Sequence, residues 1–105
     1  MESVEIDEIK AQLTPTLKRL EVDKAIVFGS LSRGAGSRKS DVDLLLVVET
    51  EERFFKRYER FEEIYTQLKG RSVDMLIYTR AELDQIAHRP FISKILAEGQ
   101  TIYEH

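Results

Sequence analysis

The chain has 105 residues, of which 42% are hydrophobic and 33% charged, with a formal net charge of −3 and no cysteine. Those values fit one folded domain spanning residues 1–105 and exclude a disulfide framework or a thiolate metal site. They also weigh against extended nucleic-acid binding, which needs a basic footprint.

Ile6, Ile9, Leu13, Leu17 and Leu20 recur at helical spacing, which predicts an amphipathic helix over about residues 5–21. Pro15 falls inside it and is expected to kink or split the helix, because proline lacks the N–H that bonds the carbonyl four residues back. Lys24 to Phe28 reads as a short buried strand that stops at Gly29-Ser30. A brief helix through Leu31-Ser32-Arg33 is expected to end at Gly34, followed by a flexible loop over Ala35 to Ser40. Val42 to Val48 is a continuous apolar strand, and its lack of alternation suggests cover on both faces.

The stretch from Glu51 to Lys69 predicts a second long helix, with Phe54, Tyr58, Phe61, Tyr65 and Leu68 forming an aromatic stripe and Gly70 ending it. The alternating charges from Glu49 to Arg60 read as the solvated face of that helix, and Tyr58 or Tyr65 is a candidate for reaching a partner surface. Ser72 to Tyr78 is the third strand. Thr79 with Glu82 makes a capping box for a helix to about His88. Pro90 then opens a last helix with Phe91, Ile92, Ile95 and Leu96 inward, closed by Gly99, and Thr101 to Tyr103 is a candidate edge strand. The fold class expected is α/β (α+β), a small mixed β-sheet with helices packed on it. No apolar run approaches the ~20 residues that cross a bilayer. A signal-peptide core is also missing, so a cytoplasmic protein is expected.

The chemistry concentrates around Asp41 and Asp43. Side chains along a strand alternate, so these two carboxylates share a face roughly 7 Å apart. At that separation two charges repel by about 2.4 kcal/mol at an effective dielectric of ~20, and by less in open water. A solvated strand end tolerates that. A third acid converging on the pair would favour a bound divalent ion, and Asp74 is the single acid in the third strand. The Gly29-Ser30 turn with Gly34 is neither a P-loop, since Ala35 stands where the lysine would be, nor a dinucleotide fingerprint. Its alternatives are a purely structural turn or a backbone nest for terminal phosphates, with the Ser30 hydroxyl as an added donor. His88, beside Arg89 and Pro90, reads as a surface or capping side chain, and His105 as terminal and disordered.

Gly29-Ser30, Arg33-Gly34, Ser40-Asp41-Val42-Asp43 and Val73-Asp74 resemble the signature of the DNA polymerase β-like nucleotidyltransferase superfamily, closest to its minimal nucleotidyltransferases. The Gly-Ser-x10-Asp-x-Asp pattern stands here without gaps. The resemblance implies that Asp41 and Asp43 hold two Mg²⁺ ions, while Asp74 completes the metal site and helps activate the acceptor hydroxyl. It further implies that Gly29 and Ser30 hold the β- and γ-phosphates of ATP, with Ser40 beside them. Arg33, with Lys39, would neutralise the pyrophosphate. The implied physics is in-line displacement between two ions ~4 Å apart. Such minimal enzymes pair with all-helical HEPN proteins in toxin–antitoxin modules, which implies an antitoxin that adenylylates a tyrosine of its cognate toxin ribonuclease. Two rivals stand beside that role. One is a small-molecule nucleotidyltransferase of the aminoglycoside type, completed by a helical partner subunit. The other is a non-catalytic antitoxin that masks its partner sterically. An oligomer is compatible with any of them.

Overall fold

Ile6, Ile9, Leu13 and Leu17 form the buried stripe of α1 (Val4–Arg19) in a computed structural model that describes residues 4–34, 41–68 and 70–105. Pro15 lies within α1 and does not split it. It sits on the exposed side of the helix, away from the buried stripe. One residue earlier, Thr14 Oγ1 donates to the Lys10 carbonyl at 2.6 Å.

A four-stranded sheet follows from β1 (Lys24–Phe28), β2 (Val42–Val47), β3 (Val73–Tyr78) and β4 (Gln100–Glu104), in spatial order β3-β2-β1-β4. β1 runs antiparallel to both β2 and β4, whereas β2 and β3 are parallel, so the sheet is mixed as expected. The candidate edge strand is therefore real, and the His105 amide still bonds the Asp23 carbonyl at 2.9 Å, so the terminal residue is tied down.

The continuous apolar run of β2 is explained by two cores. On one face Val42, Leu44, Leu46 and Val48 pack with α1 residues and with Phe61, Ile64 and Leu68. On the other, Leu45 and Val47 pack with Ile26, Leu83, Ile92 and Ile95. The second cover comes from α4 (Arg80–Ile86) and α5 (Pro90–Glu98). The Thr79 capping box forms in full, although α4 ends two residues before His88, which is exposed.

Three expectations need correction. The single helix over Glu51 to Lys69 is two, α2 (Phe54–Arg60) and α3 (Glu63–Gln67), interrupted at Phe61 and Glu62. Phe61 and Ile64 are both fully buried, and the amides of Ile64 and Tyr65 bond carbonyls only three residues back, so the chain tightens to place both side chains against the sheet. Gly70 keeps a left-handed φ of +90° just beyond α3. The charged face of α2 is not uniformly solvated, since Arg57 is 4% exposed. In α5 only Ile92 and Ile95 point inward, while Phe91 and Leu96 are 60% and 41% exposed. Among the described residues no helix is long and apolar enough to cross a membrane.

Candidate active site

The acids are brought together by strand register. Asp43 stands opposite Phe28 in the antiparallel β1–β2 pairing and opposite Asp74 in the parallel β2–β3 pairing. Directly paired residues point to the same side of a sheet, so Phe28, Asp43 and Asp74 line up across three strands. Asp41, two residues before Asp43, shares that face by alternation. Asp41 and Asp74 are exposed, and Asp43 is half-buried.

Electrostatic crowding of Asp43 accompanies that alignment. Burial pushes the Asp43 carboxyl above its ordinary value, and the charges of Asp74 and Asp41 and a hydrogen bond shared with Asp74 push it further. The guanidinium of Arg33 opposes the rise without cancelling it. A carboxylate crowded in this way is relieved by a cation.

Beside the acids, the Gly29-Ser30 segment is a succession of tight turns over residues 29–34, not the brief helix expected. Two three-residue backbone bonds shape it, Arg33 N–H to the Ser30 carbonyl and Gly34 N–H to the Leu31 carbonyl, both 3.2 Å. Gly29 has φ +78°, and a Cβ added there would overlap Oδ2 of Asp43. The glycine therefore meets two requirements at once, a left-handed backbone and room for the carboxylate. Leu31, 1% exposed, anchors the turn in the core. Ser32 Oγ donates to the Gly29 carbonyl at 2.8 Å, and Gln100 Nε2 donates to the Ser32 carbonyl at 2.9 Å.

A cavity of about 320 Å³ adjoins this turn. One wall carries Phe28, Gly29, Ser32, Arg33 and Asp43, and the other is the face of α5 bearing Phe91, Lys94, Ile95 and Glu98. The structure thus gathers Gly29, Ser30, Arg33, Asp41, Asp43 and Asp74 at one end of the sheet, while Ser40 and Lys39 lie outside the described residues. Sequence reading missed Ser32, Gln100 and the α5 wall. Nothing local marks them, since Lys94 between two inward isoleucines reads as an ordinary solvated position. Tyr58 is committed inward, donating to the Met75 carbonyl at 2.5 Å, while Tyr65 is 38% exposed.

Oxygen ligands of this kind suit Mg²⁺, and the register that sets Asp43 beside Asp74, with Asp41 on the same face, offers such donors side by side. Among the described residues no three acidic or histidine side chains form a ready-made cage. Mg²⁺ does not require one, because it keeps several waters and takes one or two carboxylates plus substrate phosphates.

A family model described as polymerase beta, nucleotidyltransferase matches residues 11–105. The chain belongs to the polymerase beta nucleotidyltransferase family. Several solved structures share this nucleotidyltransferase fold. A chain in a toxin–antitoxin structure with AMP-PNP aligns with TM-score 0.61 at 17% identity, covering 91% of this chain and 73% of that one. A chain in the structure of a tri-AMPylated Shewanella oneidensis HEPN toxin in complex with an MNT antitoxin aligns with TM-score 0.61 at 14% identity, covering 95% and 73%. A candidate nucleotidyltransferase from Sulfolobus solfataricus aligns with TM-score 0.52 at 16% identity, covering 99% and 91%. A comparison with curated protein sequences finds no match.

Proposed function

We propose that this nucleotidyltransferase moves AMP from ATP to a tyrosine hydroxyl of a HEPN toxin ribonuclease and so acts as its antitoxin in the cytoplasm. The observation that carries the reading is the in-register pairing of Asp43 with Asp74 beside a glycine turn that has room only for the Asp43 carboxylate. The AMP-PNP and the AMPylated HEPN toxin in structures of the same fold support the choice of donor and acceptor.

In this reading Asp41, Asp43 and Asp74 would hold Mg²⁺, two ions when the nucleotide is bound. Such an ion would supply neutralisation of the charge on the reacting phosphates. Gly29 and Ser30 present backbone and hydroxyl donors to the β- and γ-phosphates, with Ser40 beside them. Arg33 stabilises the charge that gathers on pyrophosphate as the bond between the α-phosphorus and its bridging oxygen breaks. The acceptor oxygen bonds the α-phosphorus, and Asp74, the more exposed member of its pair, takes the hydroxyl proton.

The test is intact-mass analysis of the co-purified partner after incubation with ATP and Mg²⁺, beside the Asp41→Asn/Asp43→Asn variant. We expect one or more AMP additions with the wild type and none with the variant. An unmodified partner that both forms neutralise equally would establish masking instead. Transfer to a small-molecule hydroxyl, with the protein partner untouched, would move the acceptor to that class.

A further inference from the structure

The cavity beside the Gly29 turn has a second wall that the phosphate and metal roles leave unused. Phe91, Lys94 and Glu98 are spaced by three and four residues along α5, so they share one helix face, and all three line the cavity. The two walls are braced against each other. Ile92 and Ile95 bury α5 on the sheet. A Cβ at Gly99 would press on Ile26 Cγ2 and the Ile95 carbonyl, so the end of the helix is held close to β1. Gln100, the next residue, grips the turn through the Ser32 carbonyl.

The chemistry of this wall matches a nucleotide. Phe91 is 60% exposed, and its contact with Phe28 is T-shaped, with centroids 6.0 Å apart, which leaves ring surface open to a planar ligand. Lys94 and Arg33 both line the cavity, Lys94 from α5 and Arg33 from the turn, where its charge also acts on Asp43. Glu98 offers an acceptor for a ligand hydroxyl or amino group. At about 320 Å³ the space lies at the small end of ligand sites, which run ~300–1,000 Å³. It suits a nucleotide and not a folded segment of a partner.

Resting on the function proposed above, we infer that α5 forms the second wall of the donor-nucleotide site, where Phe91 stacks on the base and Lys94 neutralises the polyphosphate opposite Arg33. Both side chains are exposed, so their variants retain the fold, which a thermal melt checks. Calorimetric titration with a non-hydrolysable ATP analogue and Mg²⁺ tests the assignment. Lys94→Ala should weaken binding about tenfold, with Lys94→Arg restoring most of it and AMP binding much less affected. Phe91→Ala should weaken the triphosphate and AMP alike by about tenfold, within the range of base–aromatic stacking, and Phe91→Tyr should retain both. Wild-type affinity in both alanine variants, while Asp41→Asn/Asp43→Asn loses Mg²⁺-dependent binding, would overturn this wall and leave the proposed function standing. Unchanged nucleotide binding with slowed transfer would assign the cavity to the acceptor and also overturn it. A wild-type chain that binds no Mg²⁺–triphosphate would overturn both.

Discussion

The carboxyl of Asp43 ionises less readily than a solvated one because it is half-buried and flanked by Asp74 and Asp41. Its folded-state value is raised, so the charge opposes folding as pH climbs through that value, and the cost vanishes below the ordinary carboxylate range. Without a divalent ion at neutral pH, Asp43→Asn should therefore raise Tm by a few degrees, from about 0.5 kcal/mol of relieved repulsion. The same change should lower nucleotidyl transfer by about a hundredfold or more, the scale of losing one charge-stabilising group. Saturating Mg²⁺ should erase or reverse the Tm gain, which differential scanning calorimetry would show. Gly29→Ala places a methyl group on a φ of +78° and against the Asp43 carboxylate. It should cost about 1–2 kcal/mol by denaturant titration, and lose Mg²⁺–nucleotide binding in proportion to how far the carboxylate is displaced.

Among the described residues, Arg57 of α2 makes a polar tie with four hydrogen bonds. Its guanidinium donates to both carboxylate oxygens of Glu82, at 2.6 and 2.9 Å, to the Ile77 carbonyl at 3.2 Å and to the Glu52 carbonyl at 3.0 Å. One side chain thereby joins α2, β3 and the start of α4, where Glu82 also accepts from the Thr79 amide at 2.9 Å. The hydrogen bonds from Arg57, with that from Thr79, hold the Glu82 carboxyl down at about 2. A lowered folded-state value gives stability that is present above the ordinary carboxylate range and lost as pH falls through about 2. With the Glu82 side chain 43% exposed, the contribution is discounted to about 1–2 kcal/mol. Arg57→Ala should cost more, about 2–3 kcal/mol by urea titration at pH 7, because the Ile77 carbonyl is left buried without its donor. None of this shows in the sequence, where Arg57 sits in an alternation of charges that reads as solvent-facing. The capping box was legible because both partners lie within four residues. The break at Phe61 was not, because no glycine or proline marks it and the cause is a demand of the sheet for Phe61 and Ile64 together. Likewise, four apolar residues of α5 predict a broad inward stripe, but only Ile92 and Ile95 reach the sheet.

For the molecule as a whole, the acids and the glycine turn could be picked out of the sequence as a combination, with their roles coming only from the family resemblance, while the cavity wall across from them required the fold. That wall comes from residues some fifty positions after Asp43 in the chain, and the β1–β4 pairing together with the packing of Ile92 and Ile95 on the sheet brings it near. Ligand binding should accordingly register globally. ATP with Mg²⁺ at about a hundred times its dissociation constant should add about 2.7 kcal/mol, a Tm rise on the order of 10 °C. ATP with a chelator, or the Asp41→Asn/Asp43→Asn variant with ATP and Mg²⁺, should show little rise. The in-register pairing of β2 with β3 has one more consequence. Side chains alternate with a period of two, so a one-residue slip of β3 would turn Asp74 towards the face that holds Met75 and Ile77. What prevents the slip is the greasy residues on both sides of β2, not any ion. Affinity for a divalent ion would then serve as an assay of folding fidelity, and chains that closed the sheet one notch out of step could be separated from native ones by it.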